Sequence, residues 1–136
     1  MKNKNYVDEK FGDFKFTDWP YGDPHYYIEN YKTGKYFIGI LNVYTNNESG
    51  LKKCLKKLKN IFQKIDELDD MARKSFSKEL DATEEDLNEI EIDNLYYYEN
   101  GNFELFYNLP EEELFEYVSV IFDENFLVID TTASNY

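Results

Sequence analysis

The stretch SGLKKCLKKLKNIFQKIDELDDMARKSFSKEL, residues 49–80, decides the fold class. Leu51, Cys54, Leu55, Leu58, Ile61, Phe62, Ile65, Leu68, Ala72, Phe76 and Leu80 recur at steps of three and four, which lays an apolar stripe along one side of a helix. Lys52, Lys53, Lys56, Lys57, Lys59 and Lys64 fall on the other side. The pattern predicts amphipathic helix docked on another layer, with a cationic outer surface. Asn46, Asn47 and Ser49 are cap candidates, and Gly50 favours a sharp entry. Asp66, Glu67, Asp69 and Asp70 read as the acidic first turn of a second helix, where carboxylates meet the positive end of the helix dipole. Two consecutive helices, 49–65 and 67–80, are therefore expected, with a break near residues 66–70.

On both sides of this block the period changes from 3.6 to 2. Residues 11–18 alternate apolar and polar, as a half-buried strand does, and Trp19-Pro20-Tyr21-Gly22-Asp23-Pro24 is turn chemistry. Residues 26–31 and 35–45 read as two strands joined through Lys32-Thr33-Gly34. The second is apolar on both faces over 36–44, which predicts a central strand with Gly39 at a bulge or under a close-packed helix. Thr83-Glu84-Glu85-Asp86 resembles a capping box opening a short helix.

Residues 90–99 and 103–109 flank Asn100-Gly101, a strong hairpin signal. A two-residue turn there pairs Tyr98 with Phe103, Tyr96 with Leu105 and Asn94 with Tyr107 on the core face. It leaves Tyr97 opposite Glu104 and Glu99 opposite Asn102 on the displayed face. Pro110-Glu111-Glu112-Glu113 is an acidic connection, and residues 114–122 and 126–131 form a last hairpin across Asp123-Glu124-Asn125. Strands, then helices, then strands define an α+β fold. The expected architecture is an antiparallel sheet of about six or seven strands with the two helices on one face. The 136 residues make one domain, with 1–10 and 132–136 frayed at its ends.

Charge is divided sharply along the chain. Residues 1–78 hold all 15 Lys and Arg and 11 of the 28 acidic residues, whereas 79–136 hold the other 17 acidic residues and no Lys or Arg. Six lysines on the helix cannot neutralise that half, so a negative field should remain on one side of the protein, repelling nucleic acid and attracting a basic protein. The same acidity is also what solubility alone would require. The 13 Tyr and 11 Phe suit a recognition surface, and equally follow from the compositional bias that raises Asn, Lys and Ile along with them.

Several chemistries lack their residues. There is one Cys, Cys54, placed on the apolar stripe and so read as core, and one His, His25, with no second ligand or nucleophile beside it. No glycine-rich phosphate loop, zinc-ligand pair or nucleophile elbow is present, so neither cofactor nor metal is expected. Catalysis would fall to a carboxylate pair that nothing singles out, and the chain is read as not an enzyme. No run of about twenty apolar residues exists for a membrane span, and the first residues are charged rather than apolar, which places the expected site of action in the cytoplasm.

Leu58-Lys59-Asn60-Ile61-Phe62-Gln63-Lys64-Ile65-Asp66-Glu67-Leu68-Asp69-Asp70-Met71-Ala72-Arg73 resembles the helix, acidic break and second helix of small bacterial α+β domains found among polymorphic-toxin immunity proteins. Residues 117–130 are similar to the final hairpin of those domains, although Asp-Glu-Asn replaces a glycine-containing turn. The resemblance implies a protein that neutralises a cognate toxin by covering its active site or a nearby surface, and the acidic half then implies a basic toxin domain as partner. The expected interface is Glu111, Glu112, Glu113, Glu99, Tyr97, Asp123 and Glu124, the turn and displayed positions of the acidic half. An acidic nucleic-acid mimic that inhibits a nuclease, and a non-catalytic accessory domain, remain open as alternatives.

Overall fold

A computed structural model describes residues 5–18, 23–108 and 115–135. The chain order is β1 (Tyr6–Asp8), β2 (Gly12–Thr17), β3 (His25–Thr33), β4 (Tyr36–Tyr44), α1 (Glu48–Gln63), α2 (Ile65–Leu80), α3 (Glu84–Glu89), β5 (Glu91–Tyr98), β6 (Phe103–Asn108), β7 (Phe115–Phe122) and β8 (Val128–Asn135). The eight strands form one sheet in the order β1-β2-β3-β4-β5-β6-β7-β8. This is the expected α+β class with one strand more than the upper expectation. Residues 6–8, expected to fray, pair with β2 from Tyr6↔Phe14 to Asp8↔Gly12, and β8 runs on to Asn135 instead of ending at 131.

The sheet is not wholly antiparallel. β4 and β5 run parallel, from Ile40↔Asn94 to Tyr44↔Tyr98, because residues 45–90 fold into the helices between them. A parallel pair needs a long crossover of this kind, whereas every other neighbouring pair is antiparallel and joined locally.

The stripe of residues 49–80 behaves as its spacing requires. Leu51, Cys54, Leu55, Leu58, Ile61 and Phe62 of α1 are buried, as are Ile65, Leu68, Ala72 and Phe76 of α2. Each fully buried Leu, Ile or Phe among them contributes about 1.5–3 kcal/mol of apolar transfer. Asn47 caps α1, its side chain accepting a 2.7 Å hydrogen bond from the Gly50 amide. Gly50 has no room for a side chain: a β-carbon there would lie 2.1 Å from Thr45 Oγ1. The break between the helices falls at Lys64 (φ −109, ψ 14), a little before the acidic cluster, which sits inside the first two turns of α2. α3 opens on the capping box foreseen, with Thr83 Oγ1 accepting from the Asp86 amide and Asp86 Oδ2 accepting from the Thr83 amide.

The helices cover one face only. Phe62 of α1 packs on Phe11 and Tyr31 beside the N-terminal strands, and Phe76 of α2 meets the Tyr107 ring edge-on at 5.1 Å. The helix side of the sheet presents Phe14, Tyr26, Ile38, Leu41, Val43, Leu95, Tyr97, Phe103, Leu105, Tyr107, Val120 and Phe122, all fully or almost fully buried.

An irregularity crosses the middle strands. On β3 and β4 the core-facing positions step by three, from buried Ile28 to half-buried Tyr31 and from Leu41 to Ile38, and Asn30 in the first step has φ 58. Gly39 lies beside Asp93, where β5 bulges against β6; a β-carbon on Gly39 would stand 2.9 Å from the Asp93 carbonyl oxygen. Gly39 thus admits a neighbouring strand, not a helix.

Candidate functional site

The β5–β6 hairpin decides which side chains the protein displays. Its loop is one residue longer than a two-residue turn: the Gly101 amide donates to the Tyr98 carbonyl at 2.9 Å, the Tyr98 amide donates to the Asn102 carbonyl at 3.0 Å, and Gly101 takes φ 94. This is a type I turn closed by a glycine bulge. The extra residue shifts the pairing by one, giving Tyr97↔Phe103, Tyr96↔Glu104 and Leu95↔Leu105. A one-residue shift exchanges the faces of a strand. Tyr97, expected on display, is therefore core at 1% exposure, while Tyr96 and Tyr98, expected in the core, stand on the other side.

That other side carries a continuous ladder of rings. Tyr27 and His25 of β3 lie 6.0 Å apart, and His25 sits 4.7 Å from Tyr44 of β4. Tyr44 stacks on Tyr98 at 5.1 Å and 15° and on Tyr96 at 6.0 Å and 23°. Tyr96 meets Phe106 of β6 at 5.0 Å, and Phe106 meets Tyr117 of β7 at 5.0 Å. Among the described residues no helix or strand packs over these seven rings, which bury one another only in part. They cover Asn42 on the same face, 5% exposed, whose Nδ2 donates to the Leu95 carbonyl.

Glu104 stands within the ladder. It faces Tyr96 on β5 and Ile121 on β7, and its Oε2 accepts a 2.7 Å hydrogen bond from Ser119 Oγ, which in turn lies 2.7 Å from Thr132 Oγ1. Burial pushes the Glu104 carboxyl above its ordinary value; the Ser119 hydrogen bond opposes this and Asp130 adds to it. No ion pair to Glu104 occurs among the described residues. Burial raises Tyr44 to about 12, with Tyr96, Tyr98, Asp23 and Glu104 adding to it, and Tyr96 and Tyr98 move up for similar reasons. At neutral pH these rings are uncharged phenols that can still donate. Glu29, Glu91 and Asp130 flank the ladder on the same face, against Lys15 and Lys32. The six lysines of residues 52–64 are exposed on the opposite, helical layer.

The remaining expected interface residues are placed differently. Glu111, Glu112 and Glu113 lie outside the described residues. Glu99 is exposed at the tip of the β5–β6 hairpin, sharing a shallow depression of about 350 Å³ with Lys53, Lys56 and Lys57 of α1. Glu124 is exposed and rests against Gly101. Asp123 builds its own turn, accepting from the Asn125 and Leu127 amides at 2.8 and 3.0 Å. The structure thus gathers Glu99 and Glu124 at one end of the sheet, next to lysines that partly offset them, buries Tyr97 and commits the half-exposed Asp123 to its own turn.

The most chemically dense cluster is structural. Asp69, 8% exposed, accepts from Tyr107 Oη at 2.6 Å, Tyr36 Oη at 3.2 Å and Arg73 Nε at 3.1 Å. Arg73 also donates from Nη1 to the Leu87 carbonyl and from Nη2 to the Ile90 carbonyl at 3.1 Å. Burial, followed by the charge of Asp69, drives the Tyr107 phenol far up. The cluster borders a cleft of about 450 Å³ with Lys35, Glu91, Asp93 and Asn108. All three guanidinium nitrogens, however, are engaged within the fold: Nε holds Asp69 on α2 itself, and the two Nη groups tie α2 to the end of α3 at Leu87 and Ile90. Cys54 is buried and its thiol is pushed up to about 11 by that burial, which disfavours the reactive thiolate at neutral pH. No group of three His, Cys, Asp or Glu able to hold a metal occurs among the described residues. No helix is long and apolar enough to cross a membrane among those residues.

No protein-family model, curated protein or solved structure matches the chain.

Proposed function

We propose that this is an immunity-type binding protein that neutralises a basic toxin domain through the uncovered face of its sheet. The observation that carries the reading is the ladder of seven rings, spread over five adjacent strands and flanked by carboxylates, on a face that no described element covers. Tyrosines supply broad contact area at little cost in side-chain entropy, and fixed carboxylates steer a cationic partner onto them. Each ring belongs to a paired strand, so little backbone ordering remains to be done on binding. The dense Asp69 cluster, which a catalytic reading would favour, has its donors engaged within the fold.

The partner is a protein and not nucleic acid, since on the ring face the carboxylates of Glu29, Glu91, Glu104 and Asp130 outnumber the ammonium groups of Lys15 and Lys32 and leave a field that repels phosphates. The lysines of α1 face away, and the asymmetry orients an approaching basic domain toward the sheet. The test is growth of cells expressing the gene adjacent to this one, with and without this protein. Killing by the neighbour and rescue by this protein are expected. A harmless neighbour, or killing that this protein leaves unchanged, removes the reading.

A further inference from the structure

Within the ladder, Glu104 is out of keeping with its surroundings. It projects from β6 directly opposite Tyr96 of β5, diagonal to Tyr98 and next to Phe106 on its own strand, close enough for its charge to act on both tyrosines, with the hydroxyl chain Ser119–Thr132 to support it. A carboxylate set among rings and unmatched by a cation within the described residues costs stability, and groups retained at such a cost are concentrated where a ligand supplies the missing charge. Ring faces are themselves attractive to cations, through their quadrupole. A flat delocalised cation satisfies both at once, lying on a tyrosine face while donating to the carboxylate. A compact ammonium, strongly hydrated, does the second and gains less from the first.

We propose that Glu104 and the rings of Tyr96, Tyr98 and Phe106 form the anchor subsite for one arginine side chain of the partner, its guanidinium donating to the Glu104 carboxylate. This rests on the reading that the ring face receives a basic protein, and it names the partner group that the face selects. Ser119 acts as a positioning residue, holding one carboxylate oxygen and leaving the other for the incoming cation.

The test uses the full chain with ring-labelled Tyr and Phe, titrated with acetyl-Gly-Arg-Gly-amide and followed by NMR. The Lys and citrulline versions of the peptide are the comparisons, citrulline being the uncharged analogue of arginine. The arginine peptide is expected to shift the Tyr96, Tyr98 and Phe106 ring signals saturably, binding about fivefold or more tightly than either comparison peptide. Glu104→Gln, which keeps an acceptor for Ser119 and is checked for an unchanged fold by its amide spectrum, is expected to lose about fivefold in arginine affinity. Glu99→Gln is expected to lose nothing. Equal affinity for arginine and citrulline, equal affinity for arginine and lysine, or an unaltered Glu104→Gln overturns the subsite. The subsite and the neutraliser reading fail separately. Arginine selectivity in a protein that rescues no cell leaves the subsite standing alone. Rescue by a protein indifferent to arginine leaves the neutraliser without this anchor.

Discussion

Tyr96 of β5 and Glu104 of β6 sit directly opposite each other on the uncovered side of the sheet, where the expected pairing had placed Tyr97 against Glu104. The relationship sets a pH dependence. Burial raises the Glu104 carboxyl, so the folded protein holds that proton more tightly than the unfolded chain does. Its ionisation therefore costs nothing below the unfolded carboxylate range and its full cost above the raised folded value. Glu104→Gln is expected to melt higher than wild type at pH 7 and together with it near about pH 3, where both carry a neutral side chain. Thermal unfolding across that range checks it; a variant less stable at pH 7 contradicts it.

The same register makes a second prediction. Tyr97 is wholly enclosed between the sheet and α1, whereas Tyr98 is only half-buried. Tyr97→Ala should destabilise by about 3–5 kcal/mol, as removal of a large buried ring does. Tyr98→Ala should cost well under half of that, and urea titrations of the two read the difference. Equal costs would restore the two-residue turn.

Arg73 supports a third. Removing it leaves the buried Asp69 carboxylate without its cation, held by the Tyr107 and Tyr36 hydroxyls alone, and frees the Leu87 and Ile90 carbonyls. Arg73→Ala should cost about 3–5 kcal/mol, the range for breaking one partner out of a buried pair. Arg73→Lys should recover little, since an ammonium cannot reach three acceptors in the guanidinium's fixed directions. Full recovery in denaturant titrations would contradict the clamp.

The buried Cys54 thiol, pushed up to about 11, should resist alkylation in the native protein at pH 8 and react at the rate of a free thiol in denaturant. Native-state labelling at the free-thiol rate would contradict its enclosure by α1 and β5.

How far the sequence disclosed this arrangement depended on whether a signal was local. The helical stripe, the cap just before it and the Thr83–Asp86 box each lie within a few residues of chain, and each is present, the cap being Asn47 of the three candidates. On β6 the alternation of Phe103, Leu105 and Tyr107 was legible for the same reason. β5 was not, because its faces depend on whether its hairpin loop has two residues or three, and Glu99-Asn100-Gly101-Asn102 permits both. The bulge at Asp93 then reverses the faces again, bringing Ile92 and Leu95 to the same side. The ring ladder was hidden because its members come from five strands, and only the sheet order brings them together. The run Tyr96-Tyr97-Tyr98 was the available clue, since in any strand it must place rings on both faces.

The central claim, that the ring face does the neutralising, is tested most directly by repeating the growth rescue with two variants of this protein. Phe106→Glu puts a charge in the middle of the ladder, and the pair Lys56→Glu and Lys57→Glu reverses charge on the helical layer while leaving the ladder untouched. The account predicts that the first loses rescue and the second retains it, with both accumulating as folded protein. Rescue by Phe106→Glu, or its loss in the helix variant alone, would place the interface on the other side of the molecule.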